Sequence, residues 1–454
     1  MAVRFSIFRA CRHCRCCRVP VTAHSAEGPM ARSRLVFVSP QFLFPADAGG
    51  KIRTTGILRG MKGGYFDITL ISPAMEDQPR LFACELGEIC DRFLFWRAPR
   101  RGKLAGAVRR VAALASRLPA SVALDRSRAA MALIADVLAT HPDVVVADFV
   151  HAAVLFDCVP PRGSVVFTHN VEAEIFGRHA QAVSNPLARA IWHAQRRKMA
   201  EFEARRLPAF AKVIAVSERD LGFFLETYGV RGAETIPTGV DFDYFGALAS
   251  PPSAAIAPRG GELVFTGSMD WPANIDAMQY CMNEIWPLIA VVRPEARLTV
   301  VGRDPPSGLM EKARARRLNW RFTGFVDDVR PFIRDADLYV VPLRVGGGTR
   351  IKIYEAMAMR RPVVSTSIGV EGLPIEAGNH YRRADTADAF ADEVLRLLAA
   401  PAQGAEMAET VYDFILKRYS IRRVARTFED ICKRAADPTA APDFMQPHPL
   451  AMVV

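Results

Sequence analysis

The stretch PLRVGGGTRIKIYEAMAMRRP, residues 342–362, follows a short apolar run, DLYVV, at residues 337–341. A short apolar run bounded by turn residues is typical of a buried parallel strand. The three glycines of residues 346–348 and Thr349 come next, and good helix formers continue to Met359. The pattern therefore predicts a strand, a glycine loop and a helix in succession, with Thr349 as the helix N-cap.

This loop has the features of an anion-binding site. The first N–H groups of a helix lack internal partners and lie at the positive end of the helix dipole, and glycines let a phosphate approach the backbone closely. Arg350 and Lys352 add two positive charges in the first turn. Glu355, one turn after Lys352, could accept hydrogen bonds from a sugar diol. A tight turn with a surface Lys352–Glu355 pair is the plainer explanation of the same residues.

The composition is that of a globular protein with two domains. The chain has 454 residues, of which 50% are apolar and 24% charged, and chains of this length commonly form two domains. Nine cysteines without an even framework favour a reducing, cytoplasmic compartment. The net charge of +11 is compatible with nucleic acid, anionic lipid or anionic substrates. No apolar window is long enough to span a bilayer.

The two ends of the chain differ from the rest. Four cysteines lie between Cys11 and Cys17 among arginines, without the second cluster that a zinc site would need. The apolar runs there are too interrupted for a signal peptide. We therefore expect residues 1–30 to be a disordered extension, with Met30 as an alternative first residue, and residues 437–454 to be a disordered tail.

Between these ends, apolar strands alternate with helical stretches in two series. This alternation predicts an α/β protein in which two Rossmann-like domains face each other across a cleft. The predicted boundaries are residues 31–245 for the first domain, 246–261 for a linker, 262–410 for the second domain, and 411–436 for C-terminal helices that could cross back to the first domain.

Glycines and polar residues follow predicted strands at the edge where open α/β sheets bind ligands. Gly49 and Gly50 follow the first strand and open a helix, and His169-Asn170-Val171-Glu172 follows a later strand. His169 could bond to a sugar hydroxyl or a phosphate. Close packing at a helix N-terminus is the structural alternative for the glycines, and a helix cap is the alternative for His169.

Basic residues alternate with apolar ones between Arg97 and Arg128. The cations from Arg100 to Arg117 and the neighbouring apolar residues recur at helical spacing. Such a helix could lie on an anionic membrane surface, or its cations could form the solvated face of a packed helix. The arginines lack the interleaved aromatic side chains of nucleic-acid stacking platforms, so we expect no nucleic-acid partner.

Taken in order from Arg34 to Ala436, these motifs resemble those of GT-B glycosyltransferases of the family 4 group (glycosyl transferases group 1). More narrowly, the chain is similar to sugar transferases that accompany bacterial exopolysaccharide genes. The residues that carry the resemblance are Gly49-Gly50, His169 to Glu172, Ile236 to Asp241, Phe265 to Trp271, Val301-Gly302, Gly324 to Val326 and Glu355 to Ala358.

The resemblance implies a hexosyltransferase that moves a sugar from a nucleoside diphosphate sugar to a saccharide or lipid-linked acceptor. Members usually act with retention, without an essential metal or other cofactor, and we expect a cytoplasmic enzyme that can lie on the inner face of the plasma membrane. The first domain would bind the acceptor and the second the nucleotide. The implied catalytic residues are His169, facing the transferred sugar, Arg350, Lys352, and Glu355, which would bind the ribose. The implied donor-binding residues are Gly49, Gly50, Gly267, Ser268, Gly324, Phe325, Val326, Gly346, Gly347, Gly348 and Thr349.

Two features depart from the family pattern. Gly347 stands where many members have a glutamate, eight positions before the ribose-binding one. Ser268 and Asn274 stand roughly where many members have diphosphate-binding cations. Arg350, as a bidentate phosphate partner, and Lys352, as a point charge, could replace those cations. Backbone N–H groups of the glycine loop could take the role of the missing glutamate.

Other functions are compatible with the sequence. A sugar-nucleotide epimerase of the same fold would release the nucleoside diphosphate without an acceptor, and a non-catalytic nucleotide-sugar-binding protein would release none. A nicotinamide enzyme is disfavoured because the dinucleotide fingerprint is absent. Asp335-Ala336-Asp337 resembles a metal-binding pair, but Asp337 leads into a strand, and we expect no metal there.

Overall fold

Two parallel sheets, one in each half of the chain, organise the protein. The structure, a computed structural model, describes residues 32–46, 49–98, 103–159, 162–183, 185–248, 260–345 and 351–437. The first sheet contains β1 (Ser33–Val38), β2 (Phe66–Ala74), β3 (Arg92–Arg97), β4 (Val144–Asp148), β5 (Ser164–Phe167), β6 (Lys212–Ala215) and β7 (Ala233–Thr235). The second contains β8 (Glu262–Thr266), β9 (Arg297–Val301), β10 (Trp320–Phe322), β11 (Leu338–Val341), β12 (Val363–Ser365) and β13 (Arg382–Arg383).

Helices cover both sheets. The first half contains α1 (Gly49–Met61), α2 (Gln78–Leu81), α3 (Ala83–Ile89), α4 (Lys103–Leu114), α5 (Ala120–Asp125), α6 (Arg128–Leu138), α7 (Phe149–Ala152), α8 (Glu172–Ala182), α9 (Pro186–Arg206), α10 (Glu218–Tyr228) and α11 (Phe242–Gly246). The second half contains α12 (Pro272–Tyr280), α13 (Trp286–Val292), α14 (Ser307–Ala315), α15 (Arg330–Asp335), α16 (Ile351–Ala358), α17 (Ala387–Ala399), α18 (Pro401–Tyr419) and α19 (Ile421–Ala436).

The order of the strands fixes where ligands can bind. It is β3-β2-β1-β4-β5-β6-β7 in the first sheet and β10-β9-β8-β11-β12-β13 in the second. In each sheet the order reverses beside the first strand, between β1 and β4 and between β8 and β11. Connections leave toward opposite faces at such a switch point, and a crevice opens at the carboxyl ends of the two strands. We call β1–β7 with their helices the first unit, and β8–β13 with theirs the second unit.

The central strands, such as β4, β5 and β11, are buried along their length because helices cover both faces of each sheet. In β1, Leu35 and Phe37 belong to the core cluster on one side of the sheet, and Val36 and Val38 belong to the cluster on the other side. This division follows from the alternation of side chains along a strand. The second unit has its own core cluster, which includes Phe265.

The last helix, α19, packs on the first unit although α18 packs on the second. The chain crosses between them at Ser420, where Ile421 N donates to Val240 O and Val240 N donates to Tyr419 O, both at 2.8 Å. Phe428 of α19 then lies 6.4 Å from the Phe37 ring, between ring centroids. The first unit thus depends on the end of the chain to cover one face of its sheet.

Two helices of the structure show particular terminal features. A π-helical turn, Cys281–Ile285, separates α12 from α13. Ser217 caps α10, because its Oγ accepts from Asp220 N at 3.1 Å. None of the helices that the structure describes combines the length and apolar character needed to cross a bilayer.

Five of the predicted segments lie wholly or partly outside the described residues. They are the N-terminal extension (residues 1–30), the start of the basic segment (residues 99–102), most of the linker (residues 249–259), the glycine loop with the residue after it (residues 346–350) and all but the first residue of the tail (residues 438–454).

Candidate functional site

The N-termini of two helices meet where the two units face each other. α1 begins at Gly49 after β1, and α16 is described from Ile351, after β11 and the glycine loop. A Cβ placed on Gly49 would lie 3.7 Å from Ile351 Cδ1. Both helices therefore direct the N–H groups of their first turns and the positive ends of their dipoles toward the same cleft. An anion bound between the units would interact with both.

The glycine loop itself, Gly346, Gly347, Gly348, Thr349 and Arg350, lies outside the described residues. Its predicted contacts with a diphosphate therefore stay predictions. The helix expected after it is present, and it carries Lys352 and Glu355 in its first two turns.

Lys352 reaches the carboxyl end of β8. Its Nζ donates to Thr266 O at 3.0 Å and to Asn274 Oδ1 at 3.3 Å, and it lies 3.9 Å from the centroid of the Phe265 ring. Asn274 is the position at which a cation was expected from the family pattern. The ammonium group of Lys352 thus lies beside the position at which that cation was expected, and its contact with a diphosphate stays a prediction.

Glu355 is an unusual carboxylate because of its surroundings. Burial raises its pKa to about 7, although the nearby charge of Lys352 acts in the opposite direction. Among the described residues no hydrogen-bond donor reaches its oxygens. A carboxylate in this position gains from donors that a ligand supplies, such as two neighbouring hydroxyl groups.

Three loops at the carboxyl edge of the second sheet lie against one another. Gly267 N donates to Val301 O at 2.9 Å, and Gly302 pairs with Gly324, whose φ is +70°. A Cβ on Gly302 would lie only 1.9 Å from Gly267 O, so no other residue fits there without displacement of the backbone. These glycines bring the chain after β8, β9 and β10 into contact.

The remaining donor-site candidates of the second unit lie on the same loops. Ser268 Oγ accepts from Arg303 Nε at 2.9 Å and donates to Asp270 Oδ1 at 2.5 Å. Phe325 is 70% exposed and Val326 is half-buried. The exposed Phe325 ring is free of the core and offers a surface on which a planar group could lie.

Replacing Gly302 by alanine should lower the free energy of unfolding by about 1–3 kcal/mol. The new methyl group would overlap the backbone carbonyl of Gly267, which cannot rotate away. Denaturant titration measures this loss. Gly308→Ala in α14 is the matched control, since a Cβ there meets no atom within 4 Å. The control should be neutral or slightly stabilising; equal losses in both variants would show that the crowding at Gly302 is unimportant.

In the first unit, His169 is the centre of a buried polar network. Its Nε2 lies 2.9 Å from Asp148 Oδ1, and its Nδ1 lies 3.3 Å from Arg53 Nη1. Because arginine can only donate, Nδ1 is assigned as the acceptor and Nε2 as the N–H donor. Burial lowers the pKa of His169 despite the hydrogen bond to Asp148, in accord with a neutral ring.

This network differs from the predicted role of His169. The residue is 4% exposed, and both ring nitrogens have partners within the first unit. A hydrogen bond from the ring to a transferred sugar would therefore require one of these partners to move. Without such movement, the ring holds its neighbours in position.

Gly50 joins the helix start to this network through Phe149. The Phe149 ring stacks on the His169 ring, with centroids 3.8 Å apart, and a Cβ on Gly50 would lie 2.5 Å from Phe149 Cζ. Phe149 has a φ of 62°, which is strained for a side chain of this size. Close packing, the structural alternative for Gly50, is therefore present.

Four residues of this network were missed from the sequence, namely Ser39, Arg53, Thr54 and Asp148. Asp148 accepts from Ser39 Oγ at 3.0 Å and from Thr54 Oγ1 at 3.1 Å, and Arg53 donates to Thr238 Oγ1 at 2.7 Å. Asp148 is the last residue of β4, at the switch point. His169 was selected because residues at the carboxyl ends of such strands contact ligands, and Asp148 could have been selected for the same reason. Arg53 and Thr54, in the first turns of α1, gave no separate signal.

Comparison with known proteins agrees with this arrangement. Residues 260–400 match the family described as glycosyl transferases group 1. A phosphatidyl-myo-inositol mannosyltransferase of Mycobacterium leprae is 29% identical over 296 residues, 61% of this chain and 77% of that protein. An uncharacterized 44.6 kDa protein in the cps region of Klebsiella pneumoniae is 25% identical over 170 residues, 36% of this chain and 43% of that protein.

Solved structures share the whole architecture. HepE from Anabaena, in complex with UDP and glucose, superposes with a TM-score of 0.59 at 15% identity and covers 88% of this chain and 100% of its own. TarM from S. aureus gives a TM-score of 0.61 at 11% identity, over 88% of this chain and 99% of its own. The predicted GT-B fold is confirmed, and the match of residues 260–400 to the glycosyl transferases group 1 family supports the predicted transferase activity.

Proposed function

We propose that the protein transfers a hexosyl group from a nucleoside diphosphate sugar to a saccharide or lipid-linked acceptor, with retention of configuration. The observation that carries the proposal is the meeting of two helix N-termini at Gly49 and Ile351, beside the side chains of Lys352 and Glu355. A diphosphate in that cleft would have positive dipole ends on both sides. The ribose hydroxyl groups would supply the donors that Glu355 lacks.

The transfer needs stabilisation of charge more than covalent help. The bond between the anomeric carbon and the diphosphate oxygen breaks, and negative charge develops on the leaving diphosphate. Helix N–H groups and Lys352 stabilise that charge. With retention, the acceptor oxygen attacks from the face that the diphosphate leaves, and its proton passes to the departing phosphate oxygen. His169, held by Arg53 and Asp148, keeps the opposite wall of the cleft rigid.

Synthesis of a surface glycan is the setting that we propose. The relative in the Klebsiella cps region and the exopolysaccharide resemblance of the sequence support it. The mannosyltransferase relative is named for a phosphatidylinositol acceptor, which supports a lipid-linked acceptor.

The first experiment is a thermal-shift and calorimetry panel of UDP, GDP, ADP and their sugar conjugates with the full chain. UDP is a natural first member, because HepE was solved with it. We expect one diphosphate to stabilise the protein selectively. An epimerase would then release diphosphate without an acceptor, whereas a transferase would hold the donor sugar intact until an acceptor is added. If no member of the panel binds a well-folded sample, the proposal is wrong.

Binding of the nucleotide should depend on pH through Glu355. Hydrogen bonds from ribose hydroxyl groups favour the ionised carboxylate, whose pKa is raised to about 7 in the free protein. Affinity should therefore rise with pH and level off above about 7, with a change of up to tenfold per unit below it. Calorimetry at pH 6 and pH 8 measures this. Glu355→Gln cannot titrate and should show only the pH dependence of the phosphates themselves; identical slopes would contradict the assignment.

A further inference from the structure

A cavity of about 350 Å³ lies in the first unit, away from the cleft. Its walls come from the α4–α5 and α5–α6 connections, from the start of α6, from the segment after α7, and from the C-terminal half of α9. Two of these wall segments, Phe156–Asp157 and Arg205–Arg206, precede the beginnings of β5 and β6. The cavity therefore lies toward the amino ends of these strands, on the side opposite His169, which follows the carboxyl end of β5.

The walls carry a large excess of positive charge. The charged side chains are five cations, Arg117, Arg126, Lys198, Arg205 and Arg206, and one carboxylate, Asp157. Repulsion among cations that share a cavity opposes their clustering unless an anion balances them.

Two of the cations are fixed in place by neutral groups. Lys198 Nζ donates to Leu114 O at 2.8 Å and to Ser116 O at 2.6 Å. Arg206 donates to Phe156 O at 2.7 Å, and burial lowers its pKa although Asp157 acts in the opposite direction. These contacts hold the charges in position but leave them uncompensated by a carboxylate at bonding distance.

Two other cations are available to a ligand. The guanidinium groups of Arg117 and Arg126 make no hydrogen bond or ion pair with another described residue. Arg205, by contrast, is paired with Glu201 at 3.2 Å. The planar fork of an arginine matches the oxygens of a phosphate group, with which it forms two parallel charge-assisted hydrogen bonds.

The cavity also has an apolar part, formed by Met131, Phe156 and Phe202 among others. Outside it, Leu187 and Ile191 of α9 are 71% and 39% exposed. They precede Lys198 by three and two helical turns and so share its face. Apolar surface beside the cations would suit an apolar group attached to the anion.

We propose that this cavity is a second, non-catalytic site that binds a phosphate group joined to an apolar group. The phosphate could belong to a lipid headgroup or to a soluble phosphorylated compound, since both present the same oxygens to Arg117 and Arg126. The site does not depend on the transfer reaction, because none of its lining residues belongs to the cleft.

Two probes distinguish the sources of the phosphate. Inorganic phosphate is titrated into the full chain by calorimetry, and vesicles of phosphatidylcholine with and without phosphatidylglycerol are tested by flotation. We expect at least one probe to bind, with Arg117→Ala and Arg126→Ala each weakening binding about tenfold. Binding of phosphate alone would indicate a soluble ligand, and binding that needs phosphatidylglycerol would indicate a lipid headgroup.

Arg197→Ala is the matched control, because Arg197 is an exposed arginine of α9 that does not line the cavity. It removes the same charge and should leave binding unchanged. The proposal is overturned if neither probe binds, if both cavity variants bind like the wild type, or if Arg197→Ala weakens binding equally. Nucleotide binding, measured on the same samples, should be unchanged in all three variants, which separates failure of this site from failure of the proposed transferase.

Discussion

Glu355→Ala should weaken binding of the nucleoside diphosphate by about a hundredfold or more, because two charge-assisted hydrogen bonds from the ribose are lost. The free carboxylate has no donor among the described residues, and burial raises its pKa to about 7. The wild-type protein therefore holds an ionised group in a place that disfavours the charge. A ligand relieves this by supplying the missing donors, and alanine cannot accept them.

The same substitution should not destabilise the free protein. A carboxyl group whose pKa is higher in the folded than in the unfolded state opposes folding increasingly as the pH rises from its unfolded pKa toward its folded one. Above about pH 7, Glu355→Ala should thus be at least as stable as the wild type. Loss of binding together with retained stability is the pattern expected of a ligand-binding group rather than a structural one.

Calorimetry with the preferred diphosphate measures the loss, and thermal unfolding of the free protein measures stability. Glu311→Ala is the control, because Glu311 is an exposed glutamate on α14 of the same unit. It should bind like the wild type. Unchanged affinity in Glu355→Ala would remove Glu355 from the site, and equal losses in both variants would point to an effect of net charge.

The sequence was sufficient to predict much of the fold, because the relevant signals are local. The apolar runs that became β1, β9 and β11 are short and bounded by glycine or polar residues, and their position after a strand was enough to select Gly49 and His169. The switch points explain why these positions face one cleft. Such positions follow from the alternation of strands and helices, without knowledge of any side-chain contact.

The partners of these residues could not be predicted in the same way. Lys352 bonds to Thr266, 86 residues earlier, and Arg53 approaches His169 across 116 residues. Contacts of this kind depend on how each helix packs against its own sheet, and no periodicity in the chain encodes them. The inward orientation of His169 is an example: its position was predictable, whereas the pairing of both its nitrogens was not.

Arg53→Ala should lower the free energy of unfolding by about 3–5 kcal/mol, since it removes one cation from a buried network and leaves its partners uncompensated. Arg53 is 7% exposed and lies near the charges of Asp220 and Asp148; burial lowers its pKa to about 10. Without it, His169 Nδ1 and Thr238 Oγ1 lose their donor. The fully buried Asp148 would also lose a favourable charge.

Denaturant titration at neutral pH measures the loss, with Arg219→Ala as the control. Arg219 is also an arginine of the first unit, but its side chain is 61% exposed and it pairs with Glu174 at the surface, so its loss should cost less than about 1 kcal/mol. In folded Arg53→Ala, the pKa of His169 should rise, because the nearby positive charge that lowers it is gone. If the two variants are equally stable and the pKa of His169 is unchanged, Arg53 does not hold the network. If Arg53→Ala is much less stable and the pKa of His169 rises, Arg53 keeps His169 neutral and fixed at the wall of the cleft.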